Sequence, residues 1–180
     1  PVSSHIPWAG DLDERFVLEL PLYNYLVIPL YYVTGALDLS GKLVSVSLWA
    51  LSFLILQGIW RRCLTPTATC WANLLYAIAP LGVFYNQAFM PEALVQVLAF
   101  GFILLAIRYD ESPTAARWWI CAATGLIGLL VKTPEIAHLY LILVALVFWR
   151  ESWKAILRPR YWVAALITVA AVKGWSNYLD

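Results

Sequence analysis

The chain has 180 residues, of which 62% are hydrophobic and only 13% charged, with a formal net charge of +1. Its mean hydropathy is +0.74. A soluble domain of this size needs far more charge to cover its surface, and so near-neutral a balance gives no electrostatic footprint for nucleic acid.

In chain order, the leading segment 1–20 is acidic, with Asp11, Asp13, Glu14 and Glu19. Residues 21–38 are apolar but interrupted by Pro21, Pro29 and Gly35, and carry Tyr23, Asn24, Tyr25, Tyr31 and Tyr32. That stretch could be a seventh span, putting residues 1–20 inside, or a helix lying in the outer membrane interface; its tyrosines and broken apolar run favour the second. Residues 43–60 and 68–86 contain no charged residue, and each run can cross most of a hydrocarbon core of about 30 Å. Shorter apolar runs follow at 93–107, 118–131, 136–149 and 161–172. Aromatic residues mark their ends: Trp60, Trp71, Tyr85, Trp118, Trp119, Trp149, Trp153, Tyr161 and Trp162. Such girdles and snorkelling basic residues extend a span by a turn. No alternating short strands suggest a barrel, so helices are the spanning element. The expectation is an all-α polytopic membrane protein of about six transmembrane helices over 43–175, plus an interfacial helix over 21–38.

The basic residues sort by side. Arg61, Arg62, Arg108, Arg117, Arg150, Lys154, Arg158 and Arg160 fall in one set of loops; Lys42, Lys132 and Lys173 fall opposite. The positive-inside rule makes the first set cytoplasmic. The acidic segment 1–20 and the turns at 87–92 and 132–135 then share the outer compartment of a cell membrane.

Four places could carry chemistry, because charge near a membrane core is costly. Grouped carboxylates at Asp11, Asp13, Glu14 and Glu19 could act as a general base or hold a divalent cation; a hydrated loop is the plain alternative. In Phe89-Met90-Pro91-Glu92, Pro91 and Glu92 suit a helix start, yet Glu92 also faces the outer side. Lys132 could meet a phosphate or simply snorkel. Glu135 and His138 are three residues apart and share a helix face, which makes them metal candidates with Glu19, although one pair offers too few ligands. No sequence feature names a cofactor beyond that open metal ion. Cys63, Cys70 and Cys121 form no disulfide framework and read as small packing residues. Gly101, Gly125 and Gly128 offer close helix contacts. No phosphate loop, nucleophile elbow, zinc spacing or internal repeat is present.

The order LELPLYNYLVIPLYYVTG, GKLVSV, WRRCL, YAIAPLGVFYNQAFMPEALVQ and GLLVKTPE resembles the GT-C membrane glycosyltransferases. It is most similar to the bacterial branch related to aminoarabinose transferases and protein O-mannosyltransferases, over residues 17–145. The resemblance implies transfer of a sugar from a polyprenyl-phosphate donor to a lipid, glycan or protein acceptor on the outer face. It also implies juxtamembrane helices in the first outer loop. Glu19 takes the position near the lipid phosphate, Glu92 that of the acidic residue in the later turn, and Lys132 that of a phosphate contact. The chain departs from relatives at Gln87, Lys42 and Leu20, where they often carry a basic residue, Arg and Lys respectively. The family's first helix, with the principal catalytic Asp after it, has no counterpart here. Asp13 or Glu14 could substitute but lie close to Glu19, so the expectation is a base upstream of Pro1 and a piece inactive alone. Two other classes, a transporter or permease segment and a non-catalytic membrane subunit, fit the same composition. A transporter would place acidic or broken helices near the midplane, whereas these charges sit at helix ends.

Overall fold

The computed structural model describes residues 20–151 and 157–179. Among them are eight helices and no strand: α1 Leu22–Thr34, α2 Leu37–Cys63, α3 Pro66–Ile78, α4 Pro80–Gln87, α5 Glu92–Glu111, α6 Ala115–Val131, α7 Thr133–Glu151 and α8 Pro159–Leu179. Local chemistry sets several boundaries. Gly35 ends α1 with a left-handed backbone, φ 68°, and its N–H reaches the Tyr31 carbonyl; only glycine adopts this geometry without strain. The Thr65 hydroxyl caps α3 by accepting from the Ala68 N–H, with Pro66 in the first turn. Thr114 caps α6 in the same way through the Arg117 N–H.

Among the described residues two helices, α2 and α5, are long and apolar enough to cross a membrane. At 1.5 Å per residue they reach about 40 Å and 30 Å. They lie side by side at the centre. Gly41 of α2 meets the turn before α5 at one end, and Arg62 pairs with Glu111 at 3.0 Å at the other, so they run parallel. α1 packs on α2, α6 packs on α5, and α7 and α8 both lean on α6. The buried cluster joining them includes Val27, Phe102, Tyr109, Cys121 and Ile136. Close approach is enforced at Gly125, where an added Cβ would stand 2.6 Å from both the Phe102 ring and the Tyr140 hydroxyl, and at Gly128, which faces Ile136. Gly101 has ordinary space around it, so its expected packing role is not seen.

The basic residues divide between the ends as their sequence positions predict. Lys42 and Lys132 lie at one end of the bundle, and Arg61, Arg62, Arg108, Arg117 and Arg160 at the other.

Some expectations are corrected. The run 68–86 is not one helix, because Ala79 adopts φ −59°, ψ 117° ahead of Pro80. The proline ring disfavours helical backbone in the residue before it. α3 and α4 together still return the chain from the arginine end to the Glu92 end. α2 starts at Leu37, well before the uncharged run, because Asp38 and Lys42 pair one turn apart at 2.6 Å. Trp118 is not a girdle residue. It is buried against Tyr109 and in edge contact with Tyr161, ring centroids 4.6 Å apart. Of the cysteines, Cys121 is buried as a packing residue, but Cys63 and Cys70 are exposed.

Candidate functional site

Three parts of the sequence converge where α5 begins. The first is the turn before Glu92. The Met90 N–H reaches the Ala88 carbonyl, and Glu92 opens α5 directly after Pro91. A carboxylate there is favoured by the helix dipole, by about 0.3–1 kcal/mol. The turn is fastened to α2: the Ser45 hydroxyl donates to the Ala88 carbonyl at 2.8 Å, and the Phe89 ring lies against the bare Cα of Gly41.

The second part is the end of α6. The Lys132 N–H still donates to Gly128, but its own backbone is extended, φ −155°, and the chain turns there into α7. Because α6 runs antiparallel to α5, this places Lys132 over the start of α5. The ammonium meets Glu92 Oε1 at 3.1 Å. The two side chains are only 21% and 30% exposed, so solvent screens the pair less than an ordinary surface pair. Glu92 Oε2 is buried and has no hydrogen-bond partner among the described residues. A buried acceptor left unmade costs about 1–3 kcal/mol; it is offset when a ligand donates to it.

The third part is the entry to α1. The Leu20 N–H donates to the Leu130 carbonyl at 2.9 Å, which brings the backbone just after Glu19 alongside the α6 terminus. Tyr23, one turn further on, is buried at 4% exposure. Its hydroxyl lies 2.9 Å from the Gly41 carbonyl and 2.7 Å from Ser45 Oγ. The one Tyr23 hydrogen serves the Gly41 carbonyl or Ser45 Oγ, and the two hydroxyls and two carbonyls form one buried cluster. Burial raises the Tyr23 phenol above its ordinary value of 10; the Ser45 contact opposes this and the Glu92 charge adds to it. Tyr23 therefore stays protonated and keeps donating.

Of the expected site residues, Glu92 and Lys132 are brought together. Asp13 and Glu19 lie outside the described residues, as does the side chain of Glu135. His138 is exposed on α7. Among the described residues no three His, Cys, Asp or Glu side chains could together hold a metal ion. Of the supports, Tyr23 and Phe89 stand in the sequence only as an interfacial tyrosine and part of the Glu92 turn, and Gly41 and Ser45 carry no expectation. A signal was available: Gly41 and Ser45 are four apart in GKLVSV, hence on one helix face.

A bundle of helices with an acid–base pair at one end, in a chain this apolar, defines an integral membrane protein with a polar site at a bundle end. Residues 19–176 match the model of the dolichyl-phosphate-mannose-protein mannosyltransferase family, and the chain belongs to that family, a GT-C type of membrane glycosyltransferase. Membership supports lipid-linked sugar transfer in general. No curated protein and no solved structure matches the chain.

Proposed function

We propose that this chain forms the donor side of a transferase that moves a hexosyl group from a polyprenyl-phosphate carrier to an acceptor on the outer membrane face. The observation that carries this is the Lys132–Glu92 pair, one carboxylate oxygen of which is buried without a partner among the described residues. In the reaction the anomeric carbon–phosphate oxygen bond breaks and its electron pair leaves on the phosphate. The acceptor oxygen bonds to the anomeric carbon and gives its proton to a carboxylate. Lys132 meets the phosphate, where negative charge grows as the bond breaks. Glu92 holds the ammonium in place through Oε1 and accepts from a donor or acceptor hydroxyl through Oε2. The proton acceptor is a carboxylate of the leading segment, Glu19 or Asp13, or one upstream of it; the tether between Leu20 and Leu130 supports Glu19.

The same reading makes α1 the interfacial helix and residues 1–20 the outer acidic segment. At 13 residues α1 is about 20 Å long, too short to cross the core. It also buries Tyr23 and Val27 while exposing Tyr25 and Tyr32, as a helix lying flat on a bundle requires.

The test uses the full-length protein in vesicles with a polyprenyl-phosphate hexose. Lys132→Met is expected to abolish transfer while insertion and expression stay normal, and Lys132→Arg to keep a measurable part. Undiminished transfer by Lys132→Met sinks the phosphate assignment.

A further inference from the structure

At the opposite end of the molecule α7 and α8 both rest on α6. A slot of about 540 Å³ opens between them, within the range of ligand pockets. Its floor is Trp118 and Ala122 of α6, and its walls include Val144 and Phe148 of α7 and Trp162 and Val169 of α8. These wall residues are exposed, so the slot is open sideways to the surrounding lipid. Along α8 it runs from Tyr161 to Val169, about 12 Å at 1.5 Å per residue, close to the depth of one leaflet of hydrocarbon.

Arg160 stands at the mouth of the slot. Arg160 donates to the Tyr109 and Tyr161 hydroxyls at 2.7 and 2.8 Å and stacks over both rings. Its guanidinium is therefore held at the rim, beside the slot residue Tyr161. Arg158 is exposed two residues earlier, and Arg117 lies at the same end of the bundle. An apolar slot one leaflet deep beside the Arg160 guanidinium suits an anionic lipid, with its phosphate at the arginines and an acyl chain below.

We propose that the α7–α8 slot binds one anionic phospholipid of the leaflet at the arginine end. The acyl chain lies along Trp118, Val144 and Val169, and the phosphate is met by Arg158 and Arg160. This assignment needs only that the helices sit in a bilayer, and it is independent of the sugar-transfer reading.

The experiment uses the full-length protein in nanodiscs doped with a phosphatidylglycerol that carries a photoreactive diazirine on its acyl chain. A phosphatidylcholine probe with the same chain serves as the comparison. Crosslinks mapped by mass spectrometry are expected on α7 and α8 peptides with the anionic probe, several-fold above the zwitterionic one. Arg158→Gln should lower that labelling about five-fold, the effect of one basic residue at an anionic surface. Ala165→Trp should abolish it, because Ala165 is exposed within the slot and its replacement fills the space without touching the core. Circular dichroism of both variants should match the parent. Equal labelling by the two probes would make the slot ordinary lipid boundary and overturn the proposal. Absence of labelling on α7 and α8 would overturn it as well, by showing that another part of the protein covers the slot.

Discussion

The two ends of the α2–α5 pair use charge differently. At the arginine end, Arg62 and Glu111 pair at 3.0 Å with about a third and a half of their side chains exposed. Arg117 donates to the Arg108 carbonyl and to Ser112. These contacts tie one helix end to the next and sit in water, where such a pair contributes about 0–1 kcal/mol. At the Glu92 end the Lys132–Glu92 pair bridges α5 and α6, less exposed, beside a buried carboxylate oxygen with no partner among the described residues. Around it the fastening falls to neutral groups, Tyr23, Ser45 and the Ala88 carbonyl. There the turn is fastened without using the ion pair. Arg62 and Arg117, by contrast, are committed to tying helix ends.

The sharpest way to break this contrast is to remove the acid at each end in full-length protein. Glu92→Ala should lower sugar transfer by about 100-fold or more, the scale for losing one electrostatic group at a reacting centre. Glu111→Ala should change transfer less than two-fold. Comparable losses in a transfer assay would mean that both pairs are structural.

A smaller effect is expected from paired glycine substitutions in α2. Gly41→Ala drives a methyl into the Phe89 ring, whereas at Gly58 the added atom would meet Leu104 at an ordinary 3.5 Å. Thermal unfolding in detergent should show Gly41→Ala destabilised by about 1–2 kcal/mol. Gly58→Ala should be unchanged or up to about 1 kcal/mol more stable, from helix propensity.

Tyr23→Phe removes one buried hydroxyl and should cost about 1 kcal/mol. The Tyr23 pKa is raised in the folded protein, so its contribution is fully present below 10 and is lost as pH climbs through the raised value. The stability difference between parent and Tyr23→Phe should therefore be flat from pH 6 to 9 and shrink only above 10. Least affected should be Arg62→Gln, with a loss of under about 1 kcal/mol that vanishes in high salt.

Much of this architecture was legible from residues alone. The apolar runs 43–60 and 93–107 located the two long helices because a membrane demands length and apolarity together. Sorted arginines and lysines gave the helix directions, since each crossing alternates ends. The break at Ala79 was also written in the sequence, in Pro80, but the run's uniform hydropathy concealed it. Trp118 was misread for a related reason: an aromatic at a helix end looks the same whether it faces lipid or a neighbouring helix. The site was legible only in pieces. Glu92 and Lys132 stand 40 residues apart, and nothing local says that they touch. Their pairing depends on α5 and α6 being antiparallel and in register, which glycines such as Gly125 help to set. Tyr23 looked like one more interfacial tyrosine until the packing of α1 on α2 buried it.

The hydrogen bond between Leu20 and Leu130 joins backbone atoms 110 residues apart. A ribosome adding about 5–20 residues per second needs on the order of 5–20 s to make the stretch between them. During that interval α1 has left the ribosome without the strut that will hold its entry. The Glu92 carboxylate has no ammonium beside it until Lys132 follows. The site is therefore among the last features of this region to form, and helices inserted early wait for α6 before they can bind a ligand.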